Sequence, residues 1–116
     1  MTSTVIKPWG MYETLSSEQG WLFKKIIVSP QQKLSLQSHM HRSEHWIVIE
    51  GNGLVTIGND IVAVSENSHV FIPKETKHRI HNTTDVPLVF LEVQIGALIS
   101  EEDIIRHEDE YGRAIS

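Results

Sequence analysis

Two imidazoles two residues apart, His39 and His41, open the chemistry that this sequence can offer. In an extended segment both side chains leave one side of the strand, about 6.5 to 7 Å apart at the Cα level, close enough for both rings to reach one ion. An isolated pair of this kind is more often a solvent-facing surface feature, so the context decides. Glu44 and His45 follow within four residues, Gly51 closes the next run, and Pro73, His78 and Asn82 come much later in the order Px4Hx3N. Neutral histidine and ionised glutamate suit a divalent first-row metal, and a facial ligand set draws on strands distant in the chain. His39, His41 and His78 are therefore expected to converge as ligands. A fourth place lies between Glu44 and His45: Glu44 shares the inward parity of Trp46 and Val48, and His45 is its rival. Cysteine is absent, which removes thiolate ligands, thiol nucleophiles and disulfides.

These groups have to be positioned by strands. Short β-type runs cover 21–28, 34–41, 45–49, 54–57, 61–64, 69–72, 78–81 and 86–95, separated by Ser29-Pro30, Gly51-Asn52-Gly53, Gly58-Asn59-Asp60 and Asn82-Thr83-Thr84-Asp85. Regular short strands at this spacing predict an all-β sandwich or barrel. Period-two alternation puts Ser35, Gln37, His39 and His41 on one face. In 86–95 it directs Leu88, Phe90, Glu92 and Gln94 to one side, so that a carboxylate and an amide line a cavity. Ser100 followed by Asp103 resembles a helix N-cap, and Ile104 and Ile105 are expected to dock a short C-terminal helix.

The 116 residues suit a single domain, read as a core of about 20–96 between an N-terminal arm, 1–19, and a tail, 97–116. Ten Lys and Arg against 15 Asp and Glu give a net charge of −5, which disfavours a polyphosphate backbone, so no nucleic-acid partner is expected. No apolar run reaches the ~18 residues of a membrane span, and residues 1–7 lack the apolar core of a signal peptide. A cytoplasmic location without a membrane partner is expected.

The spacing resembles the cupin superfamily, whose first motif reads Gx5HxHx3-4Ex6G and whose second reads Gx5PxGx2Hx3N. Asn67, Pro73, Glu75, His78 and Asn82 occupy the second motif, with both glycines replaced. In the first, counting back from Gly51 selects Glu44 and counting forward from His41 selects His45. The match narrows through Lys7-Pro8-Trp9-Gly10-Met11-Tyr12, the string Leu34 to Trp46 of the form SLQxHxHRSEHW, Phe71-Ile72-Pro73, His78-Arg79, Leu91-Glu92-Val93-Gln94 and Asp109-Glu110-Tyr111-Gly112-Arg113. Together these resemble the type II phosphomannose isomerase domain over about residues 7–113. That domain usually forms the C-terminal part of a bifunctional enzyme with a mannose-1-phosphate guanylyltransferase, whose nucleotide-binding glycine loop these 116 residues do not contain.

The resemblance implies a single-domain cupin, a double-stranded β-helix or jelly-roll barrel. It implies one divalent ion (Zn, Mn, Fe, Co or Ni) on His39, His41, Glu44 and His78, and interconversion of mannose 6-phosphate and fructose 6-phosphate that feeds GDP-mannose and polysaccharide synthesis. Glu92 is then the candidate base. Gln37, Arg42, Arg79, Gln94 and Arg113 are the candidate substrate-binding residues, since guanidinium groups make bidentate contacts to phosphate. Lys74 and Lys77 read as solvated, Trp9, Trp21 and Trp46 as core or interface, and His69 and His81 as non-ligands. Competing readings are a sugar- or metabolite-binding cupin with a regulatory or accessory role, and a metal-dependent oxygenase. A homodimer is possible, with the segment around Pro8-Trp9-Gly10 covering a neighbour's sheet edge.

Overall fold

A computed structural model describes residues 4–108. Its strands are β1 (Thr4–Lys7), β2 (Gly10–Glu18), β3 (Trp21–Val28), β4 (Leu36–Ser38), β5 (Arg42–Glu50), β6 (Gly53–Ile57), β7 (Asp60–Val64), β8 (His69–Ile72), β9 (His78–His81), β10 (Leu88–Gly96) and β11 (Ile105–Glu108). They form two antiparallel sheets, ordered β1-β2-β3-β10-β5-β8 and β11-β4-β9-β6-β7. The expected all-β barrel is therefore present.

The inward residues change character along the strands. At one end Val28, Val48, Val55, Ile80, Leu88 and Phe90 are almost completely buried and make the apolar core. At the other end the same strands carry Lys24, Glu44, His78, Glu92 and Gln94, all buried. Register aligns the change: Leu88 lies opposite Val28, Phe90 opposite Ile26 and Val48, Glu92 opposite Lys24 and Trp46, and Gln94 opposite Glu44. Alternation sets which side chains point inward, and pairing stacks the polar ones at one end of the barrel.

Two backbone positions show how the turn chemistry survives a change of residue. Asn67 and Glu75 stand where the second cupin motif has glycine, and both adopt positive φ, 76° and 62°. The left-handed backbone is kept although the residue that favours it is gone. At Glu75 the turn places its N–H 2.7 Å from the His39 carbonyl, tying the β8–β9 connection to the histidine segment.

Asn82, fully buried at the end of β9, is the junction of three segments. Its Nδ2 donates to the carbonyls of Val28, Ser29 and Val86 at 3.0, 3.3 and 2.8 Å, and its Oδ1 accepts from the Thr84 N–H and hydroxyl at 2.9 and 2.8 Å. Asn82→Ala leaves buried carbonyls without donors and is expected to cost about 2 to 4 kcal/mol in urea unfolding. A loss under 1 kcal/mol would show that water replaces the amide.

Two expectations change shape. Residues 1–19, read as an arm, carry β1 and β2, which extend the first sheet of this same chain through β3. Pro8 and Trp9 form the β1–β2 turn, and Trp9 packs in the core. The C-terminal helix is not formed: among the described residues there is no helix at all. Ser100 does accept the Glu102 N–H, and its carbonyl accepts the Asp103 N–H, but only a turn results. The Asp103 carboxylate is spent on the 39–41 segment, and Ile105 onward pairs with β4, so cross-strand bonds replace a helix's own.

Candidate active site

The polar end of the barrel gathers His39, Glu44 and His78, whose ligand atoms all lie within 4.8 Å of one another; all three residues are buried. His39 Nε2 is 3.1 Å from Glu44 Oε2, and His78 Nε2 is 3.9 Å from Glu44 Oε1. Each imidazole donates its Nδ1–H to a main-chain carbonyl, His39 to Asp103 at 2.7 Å and His78 to Thr76 at 2.9 Å. A carbonyl can only accept, so both rings are held with Nδ1 protonated and the Nε2 lone pair facing Glu44. This is the outer hydrogen bonding that orients metal-ligating histidines. Burial, then the charge of Arg42 and then His78, lowers the His39 pKa to about 4, and burial lowers that of His78 as well. Both are neutral at pH 7, as ligation requires. The residues fit a divalent ion.

His41 does not join them. The strand that begins at Leu36 ends at Ser38, and the chain bends through Met40 and His41, so alternation stops before it reaches the second histidine. The Asp103 carboxylate accepts the N–H groups of both Met40 and His41 at 3.0 Å and fixes that bend, leaving His41 exposed. Of the two rivals for the remaining place, Glu44 faces the cluster. His45 lies on the outer face, stacked on His69 with 5.4 Å between ring centroids and a 3.2 Å ring-nitrogen contact.

Arg42 is the least anticipated member. Its Nε donates to Glu44 Oε2 at 2.8 Å, Nη1 donates to the Ser100 carbonyl at 2.9 Å, and Nη2 lies 3.4 Å from His39 Nε2. Its guanidinium is thus committed inside the cluster, where it neutralises Glu44 together with a 3.0 Å hydrogen bond from Trp46 Nε1. Trp46 also packs edge-on against the His78 ring and tilted against Phe90.

Glu92 sits beside Glu44 and is buried. Burial, followed by the Glu44 charge, pushes its pKa up to about 7, while Lys24 and a 2.7 Å hydrogen bond from Gln94 Nε2 pull the other way. Gln94 is fully buried, and its Oε1 has no hydrogen-bond partner among the described residues. Gln37 lines the cavity and donates to Ser35 Oγ at 3.1 Å; Arg79 lines it too, with Nε donating to the Leu34 carbonyl at 3.0 Å. Lys74 and Lys77 are exposed and outside the cavity. Arg113 lies outside the described residues.

Sequence reasoning missed Lys7, Tyr12, Lys24, Glu101 and Arg106, which also line the cavity. Lys24 is buried, pairs with Glu101 at 3.1 Å and stands 4.0 Å from the centroid of the Tyr12 ring. Arg106 is directly opposite Gln37, which is opposite His78, so the three share one face across β11, β4 and β9. The short helix expected after Ser100 hid Arg106, which lies in β11. The parity of β3 could have found Lys24, since it shares a face with Ile26 and Val28.

Comparison with known proteins bears on this site. The family model described as "Mannose-6-phosphate isomerase C-terminal" matches residues 1–109. The xanthan biosynthesis protein XanB of Xanthomonas campestris pv. campestris (strain B100) is 44% identical over 109 residues, 94% of this chain and 23% of that protein. A mannose-1-phosphate guanylyltransferase of Salmonella muenchen is 42% identical over 108 residues, 93% of this chain and again 23% of the other. The chain thus spans under a quarter of the length of these curated relatives. Among solved structures, the cupin-2 domain Rru_A2000 of Rhodospirillum rubrum superposes with a TM-score of 0.73 at 20% identity, covering 88% of this chain and 78% of that one. The fold is that of a cupin.

Proposed function

Because the chain belongs to the mannose-6-phosphate isomerase C-terminal family, we propose that it is a metal-dependent aldose–ketose isomerase that interconverts mannose 6-phosphate and fructose 6-phosphate and serves GDP-mannose and polysaccharide synthesis. The observation that carries the proposal is the buried Glu92 carboxyl beside the His39, Glu44 and His78 cluster, with a pKa raised to about 7. An isomerase of this kind needs a base that is partly ionised near neutral pH and can both take and return a carbon-bound proton.

A divalent ion held by His39, Glu44 and His78 would supply Lewis acidity toward the sugar's carbonyl and hydroxyl oxygens. The chain's own residues do the rest. Glu92 removes the proton from C2 of the open-chain aldose and returns it to C1, while the O2 hydroxyl proton passes to O1, so that atoms and charge balance through an enediol. Gln94 orients Glu92 through the 2.7 Å hydrogen bond, and Arg42 holds Glu44 in place. Gln37 presents a polar edge to sugar hydroxyls.

One contact favours a second reading, a non-catalytic domain that binds a sugar phosphate: Arg42 already neutralises Glu44 without an ion. A coupled assay separates the two. Purified protein loaded in turn with manganese, cobalt, zinc and iron is expected to convert mannose 6-phosphate to fructose 6-phosphate and to lose that activity to a chelator. Thermal protection by the sugar phosphate with no product under any metal would leave only the binding domain.

A further inference from the structure

The cavity is cationic inside an acidic protein. Five cations line it, Lys7, Lys24, Arg42, Arg79 and Arg106, against three carboxylates, Glu44, Glu92 and Glu101, while the whole chain carries −5. Two of the cations are spent internally: Arg42 on Glu44 and the Ser100 carbonyl, and Lys24 on Glu101 and the Tyr12 ring. The other three form no ion pair among the described residues. Arg106 goes further, because its Nε is enclosed and has no hydrogen-bond acceptor among those residues. An enclosed guanidinium donor without an acceptor is costly unless a ligand supplies one.

We propose that Arg106, with Lys7 and Arg79, forms the side of the cavity that recognises the phosphate of a sugar phosphate. The proposal rests on the isomerase-family reading and deepens it. Placement fits the chemistry. Arg106 and His78 share one inward face two strands apart, about 10 Å at the usual strand spacing. The phosphate of a hexose 6-phosphate lies at the opposite end of the sugar from C1 and C2, so reaction at the histidine cluster leaves the phosphate toward β11. A phosphate dianion offers several acceptor oxygens, matching a fork of guanidinium donors, and offsets the excess positive charge that draws it in. Arg42, by contrast, holds the carboxylate of the cluster and has few donors left to give.

Isothermal titration of the full chain with mannose 6-phosphate, mannose and inorganic phosphate tests this. Arg106→Gln is expected to weaken mannose 6-phosphate about 10- to 100-fold, the range of one or two charge-assisted hydrogen bonds, and to leave mannose unchanged. Lys7→Gln should weaken only the phosphorylated ligand, by a smaller factor, and Lys74→Gln, outside the cavity, should change nothing. Thermal melts report folding of each variant; if Arg106→Gln does not fold, Lys7→Gln and Arg106→Lys carry the same comparison. Affinity for mannose 6-phosphate within twofold of wild type in folded Arg106→Gln and Lys7→Gln overturns the proposal. Arg106-dependent binding without turnover would instead sink the isomerase reading and leave this one standing.

Discussion

Replacing Glu44 with glutamine is expected to abolish divalent-metal binding and to lower the unfolding free energy of the metal-free protein by about 3 to 5 kcal/mol, the usual cost of removing one partner from a buried ion pair. Glu44 is 2% exposed and Arg42 is 5% exposed, so the guanidinium that now donates to Glu44 at 2.8 Å would stay buried beside a neutral amide. The desolvation of Arg42 is already incurred by the fold, and only the carboxylate offsets it. Urea titration of the chelated protein measures the loss, and metal analysis after dialysis measures occupancy. The double replacement Arg42→Met with Glu44→Leu removes both charges and is expected to recover most of the stability while staying metal-free. A single variant within 1 kcal/mol of wild type would mean that water reaches Arg42.

On the proposed isomerase reading, Glu92→Gln is expected to lower turnover about 10²- to 10⁴-fold, the contribution of a positioned general base, with metal binding retained. Its effect on stability is separable and has a defined sign. In the metal-free protein Glu92 keeps its proton up to about pH 7, against an ordinary value of 4.5, so the folded state binds more protons than the unfolded one between those values. Glu92 therefore favours the folded state fully below 4.5, and that contribution is lost as pH rises through about 7. His39 works in the other direction. Its pKa falls from 6.5 to about 4, so its contribution is present above 6.5 and is lost as pH falls through about 4. Between 4.5 and 6.5 the two slopes oppose, and the wild-type protein is flatter than either group alone would make it. Removing Glu92's titration leaves the histidine slope uncompensated, so the variant should lose stability more steeply than wild type as pH falls from 6.5 to 4.5. Parallel chelated melts across that window check it; identical slopes would show that Glu92 titrates normally.

The sequence was most legible where a side chain's direction follows from a regular strand. Glu92 and Gln94 on β10, Trp46 and Val48 on β5, and Ile80 on β9 all point inward as parity requires, because pleating alternates Cβ vectors whatever the neighbours are. The second motif was legible through its spacing even with its glycines replaced. Asn67 and Glu75 keep positive φ because the turns before and after β8 demand it, and the surrounding strands hold the strained residues there.

Legibility ended where the chain left its strands. The pairing of His39 with His41 assumed an extended segment, and the bend at Met40 and His41 is imposed by Asp103, more than sixty residues away. No local pattern contains that carboxylate. The same segment, 100–107, supplies the carbonyl that orients His39, the carbonyl that anchors Arg42, the partner of Lys24 and the inward Arg106. What the sequence by itself determined is the barrel, the inward parity of its strands and the residue types that can meet at its polar end. Which histidines meet Glu44, which arginine is spent on Glu44 and which cations still face the cavity were decided only by tertiary structure. Those outcomes depend on long-range hydrogen bonds and charge neutralisation between segments that no sequence period connects.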